Sequence, residues 1–275
     1  MSMPYGGHEA KLYYVEETTY GVTPATPAMH GIGSVISVDP ILNPSNIKVR
    51  GTGSRDLQFI KRGLRQADLK VNYHPHTLFM ADLTLLNSYS IEIVYEKASG
   101  IFALLYQGCR INNVTAECSV EDCLKMTTDF IGRNAGILTT KVGQSYTDHE
   151  AAIPFYESYV KKNTVTLERV TDFKFEIANN LKRIPVIRGQ DGYMLKYLTA
   201  RHRDLSGEVT FNFETDEEFD DAINDNEFSL EFGLGGTNKA NFVGCKWQNV
   251  STPTRIEDLV ALKAPFVAKG PVSIS

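Results

Sequence analysis

His74-Pro75-His76 sets two imidazoles one residue apart. On an extended strand that spacing puts both rings on one face, which is the beginning of a transition-metal site. No third ligand follows at a useful spacing, so the pair alone does not define a metal centre. The acidic run from Asp216 to Glu227 could suggest calcium, but it lacks the D-x-[DN]-x-[DN]-G order that wraps a loop around the ion. Cys109, Cys118, Cys123 and Cys245 have no metal-ligand spacing and read as reduced, mostly buried small hydrophobes. The glycine-rich pieces GIGS at 31–34 and GLGG at 233–236 lack the strand-to-helix setting of a phosphate cradle and read as turns. A G-x-x-x-x-G-K-[ST] loop, a G-x-S-x-G elbow and an H-E-x-x-H helix are all absent from the sequence. The residues capable of chemistry are therefore not arranged for catalysis, and the reading is of a non-enzyme without metal or cofactor.

Composition narrows the remaining classes. A hydrophobic content of 42% and a charged content of 22% are those of a globular chain with a core. The net charge of −5 argues against a binder that works by neutralising phosphates. No apolar run approaches the roughly 18 residues of a membrane span. The opening MSMPYGGHEAK lacks the basic and apolar regions of a signal peptide, so synthesis and folding in a cytoplasm are expected.

The elements that would position any site are written twice. GCRINNV at 108–114 returns as GCKWQNV at 244–250, a shift of 136 that continues through Glu121/Glu257, Asp122/Asp258 and Phe130/Phe266. Upstream the shift is 138, matching VRG at 49–51 to IRG at 187–189, Arg65 to Arg203, Val71 to Val209, Tyr73 to Phe211 and Thr77 to Thr215. Between these blocks Ser90 and Glu92 meet Ser229 and Glu231 at a shift of 139. Block order is kept and only loop lengths differ, as when one whole domain is copied rather than a short solenoid repeat. Under the same register the His74-Pro75-His76 positions hold Asn212, Phe213 and Glu214, which removes the metal reading from the second copy.

Within each half the dominant period is two. Leu69-Lys70-Val71-Asn72-Tyr73 and Gly207-Glu208-Val209-Thr210-Phe211-Asn212-Phe213 alternate apolar and polar residues, as do Ile91-Glu92-Ile93 and Leu230-Glu231-Phe232. Further strands are expected at 101–107, 111–120, 123–132, 164–178, 239–250 and 258–268. The best helix is TDEEFDDAIN at 215–224, with Thr215 and Glu218 spaced for a capping box. Its counterpart is Thr77 to Leu86. The fold class is mainly β: two tandem copies of a β-sandwich or partly closed barrel, each with a short α-helix, plus an N-terminal arm and long loops. The expected organisation is an arm at 1–30, a first domain at 31–137, a linker at 138–163 and a second domain at 164–275.

Long connections precede the strands at 69 and 207. They carry Ile47, Val49, Leu57, Phe59 and Ile60 in one copy, and Ile184, Val186, Ile187, Met194, Leu195 and Tyr197 in the other. That apolar content fits either a loop folded on its own domain or an arm packed on another subunit.

YYVEETTYGVTPATP at 13–27, the extended VRGTGSR and VIRGQDG segments and the closing NFVGCKWQNVSTPTRIEDLVALKAPFVA resemble the tail tube proteins of long-tailed, non-contractile phages and related viruses. The resemblance implies a β-sandwich flanked by a helix, assembled as stacked rings around a channel through which DNA leaves. A duplicated chain would form trimeric, pseudo-hexameric rings. It further implies contacts with itself, with a tape measure protein in the lumen during assembly, and with tail terminator and baseplate or tip proteins. DNA would pass without specific binding, no membrane would be involved, and the location would be the virion tail after assembly in the host cytoplasm.

Candidate lumen-facing residues are then Glu92 and Glu231, as rings of negative charge, with Glu208 and Lys70 an unequal pair nearby. Candidate inter-ring contacts are Arg50, Arg55, Phe59, Arg188, Tyr193 and Arg203 in the connections 43–65 and 181–203, together with the arm at 13–30. Two other classes stay open at the level of sequence. One is a terminator or baseplate ring, or an injection-system tube, of the same fold; the other is a soluble two-domain β-sandwich binding module.

Overall fold

The computed structural model describes residues 5–75, 86–97, 100–148, 152–189, 191–253 and 260–274. The first half contains β1 (Ala10–Glu16), β2 (Ala28–Gly31), β3 (Gly33–Asn43), β4 (Ile47–Val49), β5 (Phe59–Lys61), β6 (Gln66–Pro75), β7 (Tyr89–Lys97), β8 (Gly100–Ser119), β9 (Lys125–Gly132), β10 (Asn134–Leu138) and β11 (Ser145–Thr147). The second half contains β12 (Ser158–Lys162), β13 (Val165–Thr166), β14 (Val170–Ala178), β15 (Lys182–Ile184), β16 (Tyr197–Thr199), β17 (Asp204–Asn212), the helix α1 (Glu217–Ile223), β18 (Phe228–Leu234), β19 (Lys239–Trp247), β20 (Ala261–Ala268) and β21 (Val272–Ile274). The protein is mainly β, and its sheets do not close into a barrel. His76 and nearly all of the helix expected over Thr77 to Leu86 lie outside the described residues.

Pairing follows one order in both halves. β3 pairs with β6, β6 with β9 and β9 with β8; β14 pairs with β17, β17 with β20 and β20 with β19. A second layer is built from β1, β7, the first half of β8 and β10, and correspondingly from β12, β18, β19 and β21. Alternation drives the layering. Leu69, Val71 and Tyr73 of β6 are buried, as are Val209 and Phe211 of β17, while Lys70 and Glu208 point to the opposite face.

The repeated heptad sits where one strand leaves the second layer for the first. Gly108 and Gly244 share a backbone φ of +65°, which a residue with a Cβ adopts only under strain. The pairing of β7 with β8 shifts register between Tyr89 and Ile91, and that of β18 with β19 between Phe228 and Leu230. A bulge with a left-handed glycine turns the strand from one sheet into the other. In the first half this corner is also held by Glu17, whose buried carboxylate accepts the Gly108 N–H (2.8 Å), the Ser90 hydroxyl (2.7 Å) and the Gly21 N–H (2.7 Å). The expected strands 101–107 and 111–120 are thus one strand bent at its glycine.

Three expectations differ from the structure. Residues 13–30 are no free arm: β1 pairs with β7 along its whole length, burying Leu12 and Tyr14 in the main core and Tyr13 in a smaller cluster with Met29, Val94 and Ala103. The stretch 138–163 is built in as well, because β11 pairs with β2 and β12 with β18. The capping box at 215–224 is replaced by ion pairs. The helix begins one residue after Asp216 without a side-chain cap, and buried Glu218 instead accepts two bonds from Arg169 (2.7 and 2.9 Å). Lys162, also buried, donates to Glu217 (2.7 Å) and to Asp221, so charge pairs tie the helix to the sheet.

Candidate assembly interface

The second half of β8 has neighbours on both sides: β9 of its own half and β14 of the other. The ladder between β8 and β14 runs from Asn113 opposite Ala178 to Ser119 opposite Asp172. Its ends are closed by the Asn179 N–H on the Asn112 carbonyl (2.8 Å) and the Val120 N–H on the Thr171 carbonyl (3.0 Å). By strand alternation, the bonded pairs along the ladder are Ile177 with Val114, Phe175 with Ala116 and Phe173 with Cys118. Asn113 donates to Glu176 (2.7 Å), and Lys174 lies 3.8 Å from Glu117 on the open face. One sheet therefore runs through both halves in the order β3, β6, β9, β8, β14, β17, β20, β19.

The connection 181–203 folds over this junction. Its hairpin, β15 with β16, sets Leu195 and Leu198 into buried positions. Arg110 donates to the Leu198 carbonyl (2.7 Å), the Arg65 N–H donates to the Tyr193 carbonyl (2.7 Å), and Arg183 pairs with Asp68. The Tyr193 ring lies under the guanidiniums of Arg62 (4.9 Å) and Arg65 (5.2 Å), adding a cation–π contact. Arg188 is spent inside its own loop on the Asp191 and Met194 carbonyls. Arg203 is exposed.

The first connection behaves otherwise. Its hairpin, β4 with β5, leaves Ile47, Val49, Phe59 and Ile60 exposed, and Arg50 and Arg55 are exposed beside them. Beyond the hairpin, β3 pairs only with β6 among the described residues and exposes Ile36, Ile41 and Leu42. So many apolar groups on one strand edge and its adjoining hairpin mark an interaction surface.

The four charged lumen candidates separate into two groups. Lys70 and Glu208 lie on the open face of the continuous sheet, where Asp129, Glu117, Lys174 and Lys263 also emerge, and Lys70 is 4.0 Å from Asp129. Glu92 is fully buried, contrary to the expectation of a wet face. Residues 138–147 cross over β7, so the Val142 N–H (2.9 Å) and the Tyr146 hydroxyl (2.6 Å) donate to its carboxylate. Burial, with the bond to Glu92, pushes the Tyr146 phenol above its ordinary range. Glu231, at the matching position of β18, is only partly covered. It accepts from Tyr159 (2.8 Å) and Lys161 (3.2 Å), with Lys239 at 3.4 Å, and the Tyr159 bond and the two lysines hold its carboxyl below the usual glutamate value. Glu92 is therefore covered by residues 138–147 of its own chain, and Glu231 is not covered to the same degree.

Glu17 and Arg169 are not singled out by spacing, and Glu218 reads only as a capping-box residue, because the partners that hold them are distant in sequence. The sequence around Glu17, YYVEET, pairs it with a second acid, Glu16, and gives no local sign of which one is buried. His74 uses its Nδ1 on the Leu124 carbonyl (2.9 Å), and the described residues hold no cluster of His, Cys, Asp or Glu fit for a metal ion. Burial pushes the Cys245 thiol up to about 12 and the Cys109 thiol well above its ordinary value, so both behave as apolar groups.

Among the described residues the surface features that stand out are the edge of β3 and the apolar β4–β5 hairpin. Residues 7–271 match the family described as phage tail tube protein, and the chain belongs to that family. No curated protein matches it. Family membership makes it a structural component of the virion tail, with self-assembly into a tube and tail proteins as its partners. No helix of the described residues is long and apolar enough to cross a membrane.

Proposed function

We propose that the two halves are copies of one tube unit, and that three chains form a ring of six such units. Stacked rings then make a hollow tube through which DNA passes. The observation that carries this reading is the continuous sheet, in which the β8–β14 ladder already joins one half to the other inside a single chain. A lateral contact of this kind, repeated head to tail, closes into a ring when its rotation divides a full turn. Closure also removes the exposed edge of β3, which would otherwise invite indiscriminate pairing.

In this reading the open face of the continuous sheet lines the channel. Acids and lysines alternate there, Glu208, Glu117 and Asp129 beside Lys70, Lys174 and Lys263. DNA carries about one negative charge per 1.7 Å of axis, and a mixed wall neither concentrates counterion release nor holds the duplex. A tape measure protein would occupy the same channel during assembly, and terminator and baseplate or tip proteins would cap its ends. The inter-ring role of 43–65 is retained for Arg50, Arg55 and Phe59; residues 181–203 act laterally instead. Electron microscopy of the concentrated chain, alone and seeded with tail-tip complex, tests the reading. Hollow tubes or ring stacks are expected, and a chain that stays small under both conditions contradicts it.

A further inference from the structure

We infer that the internal junction is the template for the junction between chains: the free edge of β3 in one copy receives residues 249–253 of a second copy, in a register that the repeat specifies. The inference rests on the tube-subunit reading. Val38 lies opposite Val71, and Phe173 opposite Val209, which is the 138-shifted partner of Val71. Residues 35–43 of β3 thus correspond one for one to 170–178 of β14, and both ladders are interrupted at the same place, between Val35 and Ser37 and between Val170 and Asp172.

The donor segment is equally identifiable. Thr115 of β8 lies opposite Thr127, and the 136-shifted pair Ser251 and Lys263 forms an isolated bridge with both backbone bonds made (2.9 and 2.8 Å). Residues 249–253 therefore occupy the place of 113–117. In the first half β8 runs unbroken to Ser119 with β14 along its outer edge; in the second, β19 stops at Trp247. The missing regularity falls on the side where the neighbour would be.

Transferring the register places Asn43 opposite Asn249, Leu42 opposite Val250, Ile41 opposite Ser251, Pro40 opposite Thr252 and Asp39 opposite Pro253. Because Ser251 turns its backbone groups to Lys263, alternation turns those of Val250 and Thr252 toward the incoming β3. Pro253, which has no N–H, falls on a residue facing β20, so it does not interrupt the new ladder. Pro40 does face it, and the junction between chains has one donor fewer than the internal one. Leu42 is 50% exposed where its counterpart Ile177 is completely buried. The hairpins agree: Ile60 is 61% exposed, and Leu198, at the matching position of β16 and bonded through its carbonyl to Arg110 of the first half, is 3% exposed. Ile60 has the place of a side chain that docks on the second half of a neighbouring copy.

The test is a disulfide trap in the assembled full chain, with Cys123→Ser throughout. Ile41→Cys with Ser251→Cys puts thiols at a non-hydrogen-bonded pair, where Cα atoms lie about 4.5 Å apart, within disulfide range. Thr115→Cys with Glu176→Cys marks the corresponding internal pair, and Ile41→Cys with Pro253→Cys is two residues out of register. Under mild copper–phenanthroline oxidation, Ile41/Ser251 should link chains into a ladder ending at three. Thr115/Glu176 should link within one chain, and Ile41/Pro253 should link poorly. Tubes that form without the Ile41–Ser251 bond, or that favour Ile41–Pro253, overturn the register while leaving the tube reading intact. If wild type forms neither rings nor tubes, both fall. Hydrogen exchange on wild type decides the matter should the cysteine variants not assemble: the Leu42 and Val250 amides should slow by about tenfold or more on assembly, and unchanged rates overturn the inference.

Discussion

The two hairpins of this chain have the same place in the pairing order and opposite surroundings. β15 and β16 lie on the first half of the molecule, with Leu198 buried, Arg183 paired to Asp68 and Tyr193 held by two arginines. β4 and β5 stand clear of it, with Ile47, Phe59 and Ile60 in water. The strands before them differ in the same sense. β14 is flanked by β17 and β8 and buries Phe173, Phe175 and Ile177, while β3 pairs only with β6 among the described residues and exposes Ile36, Ile41 and Leu42. What distinguishes the halves is the presence of a neighbour, and the apolar residues of β3 and β4–β5 are those of a surface that expects one.

The comparison can be broken most severely at the charges that occur in the second half alone. Glu218→Gln removes the closer and fully buried counter-ion of the nearly enclosed Arg169, leaving only the exposed Glu217 at 3.7 Å, and urea unfolding should show a loss of about 3–5 kcal/mol. Glu217→Ala, on the exposed carboxylate of the same helix, should change stability by about 1 kcal/mol or less. Equal losses would show that Glu218 is not specially enclosed.

Leu198→Ala against Ile60→Ala sharpens the contrast between the hairpins. In the unassembled chain the first should lower stability by about 2–5 kcal/mol through a cavity, and the second by no more than about 0.5 kcal/mol. In assembled tubes Ile60→Ala should become destabilising too, read as a lower melting temperature of the polymer. If Ile60→Ala is silent in both states, the hairpin does not dock.

Gly108→Ala and Gly244→Ala share a strained φ but not their surroundings. A Cβ at Gly108 would meet the Arg133 Cβ at 2.7 Å and the ring of Tyr20 at 3.1 Å, whereas the nearest atoms at Gly244 belong to the flexible chain of Lys269. Each should cost about 1 kcal/mol or more, Gly108→Ala the larger, as measured by denaturant midpoint. The smallest effect expected is one of pH. Glu231 has a folded pKa below its unfolded value, so its contribution is present above about 4.3 and is lost as pH falls through the lower folded value. Tyr159→Phe should flatten that acid limb of the stability curve, and an unaltered limb would show that the bond to Glu231 does not set it.

Much of this architecture was legible in the sequence because it is encoded locally. Period-two runs such as Leu69 to Tyr73 show which side faces the core, and the glycine-cysteine heptad marks the repeat, but that its glycine turns one strand between two sheets is not written in the local pattern. What escaped is set by residues far apart in the chain. Glu92 looks like a wet-face glutamate until residues 138–147 are laid over it. Residues 12–15, Leu-Tyr-Tyr-Val, are apolar without alternation, because both faces of β1 are covered, so they did not read as a strand. Thr215 and Glu218 have capping-box spacing, but Arg169, more than forty residues earlier, holds Glu218 more strongly than a backbone N–H would.

The central claim is that the two halves of one chain and the halves of adjacent chains meet through the same junction, so that three chains complete a ring. A reconstruction of the wild-type tube by electron cryomicroscopy tests this most directly. Three chains per ring, six similar lateral junctions, and β3 of each chain paired with residues 249–253 of the next are expected. A ring of six whole chains, or one in which β3 remains an open edge, would contradict it.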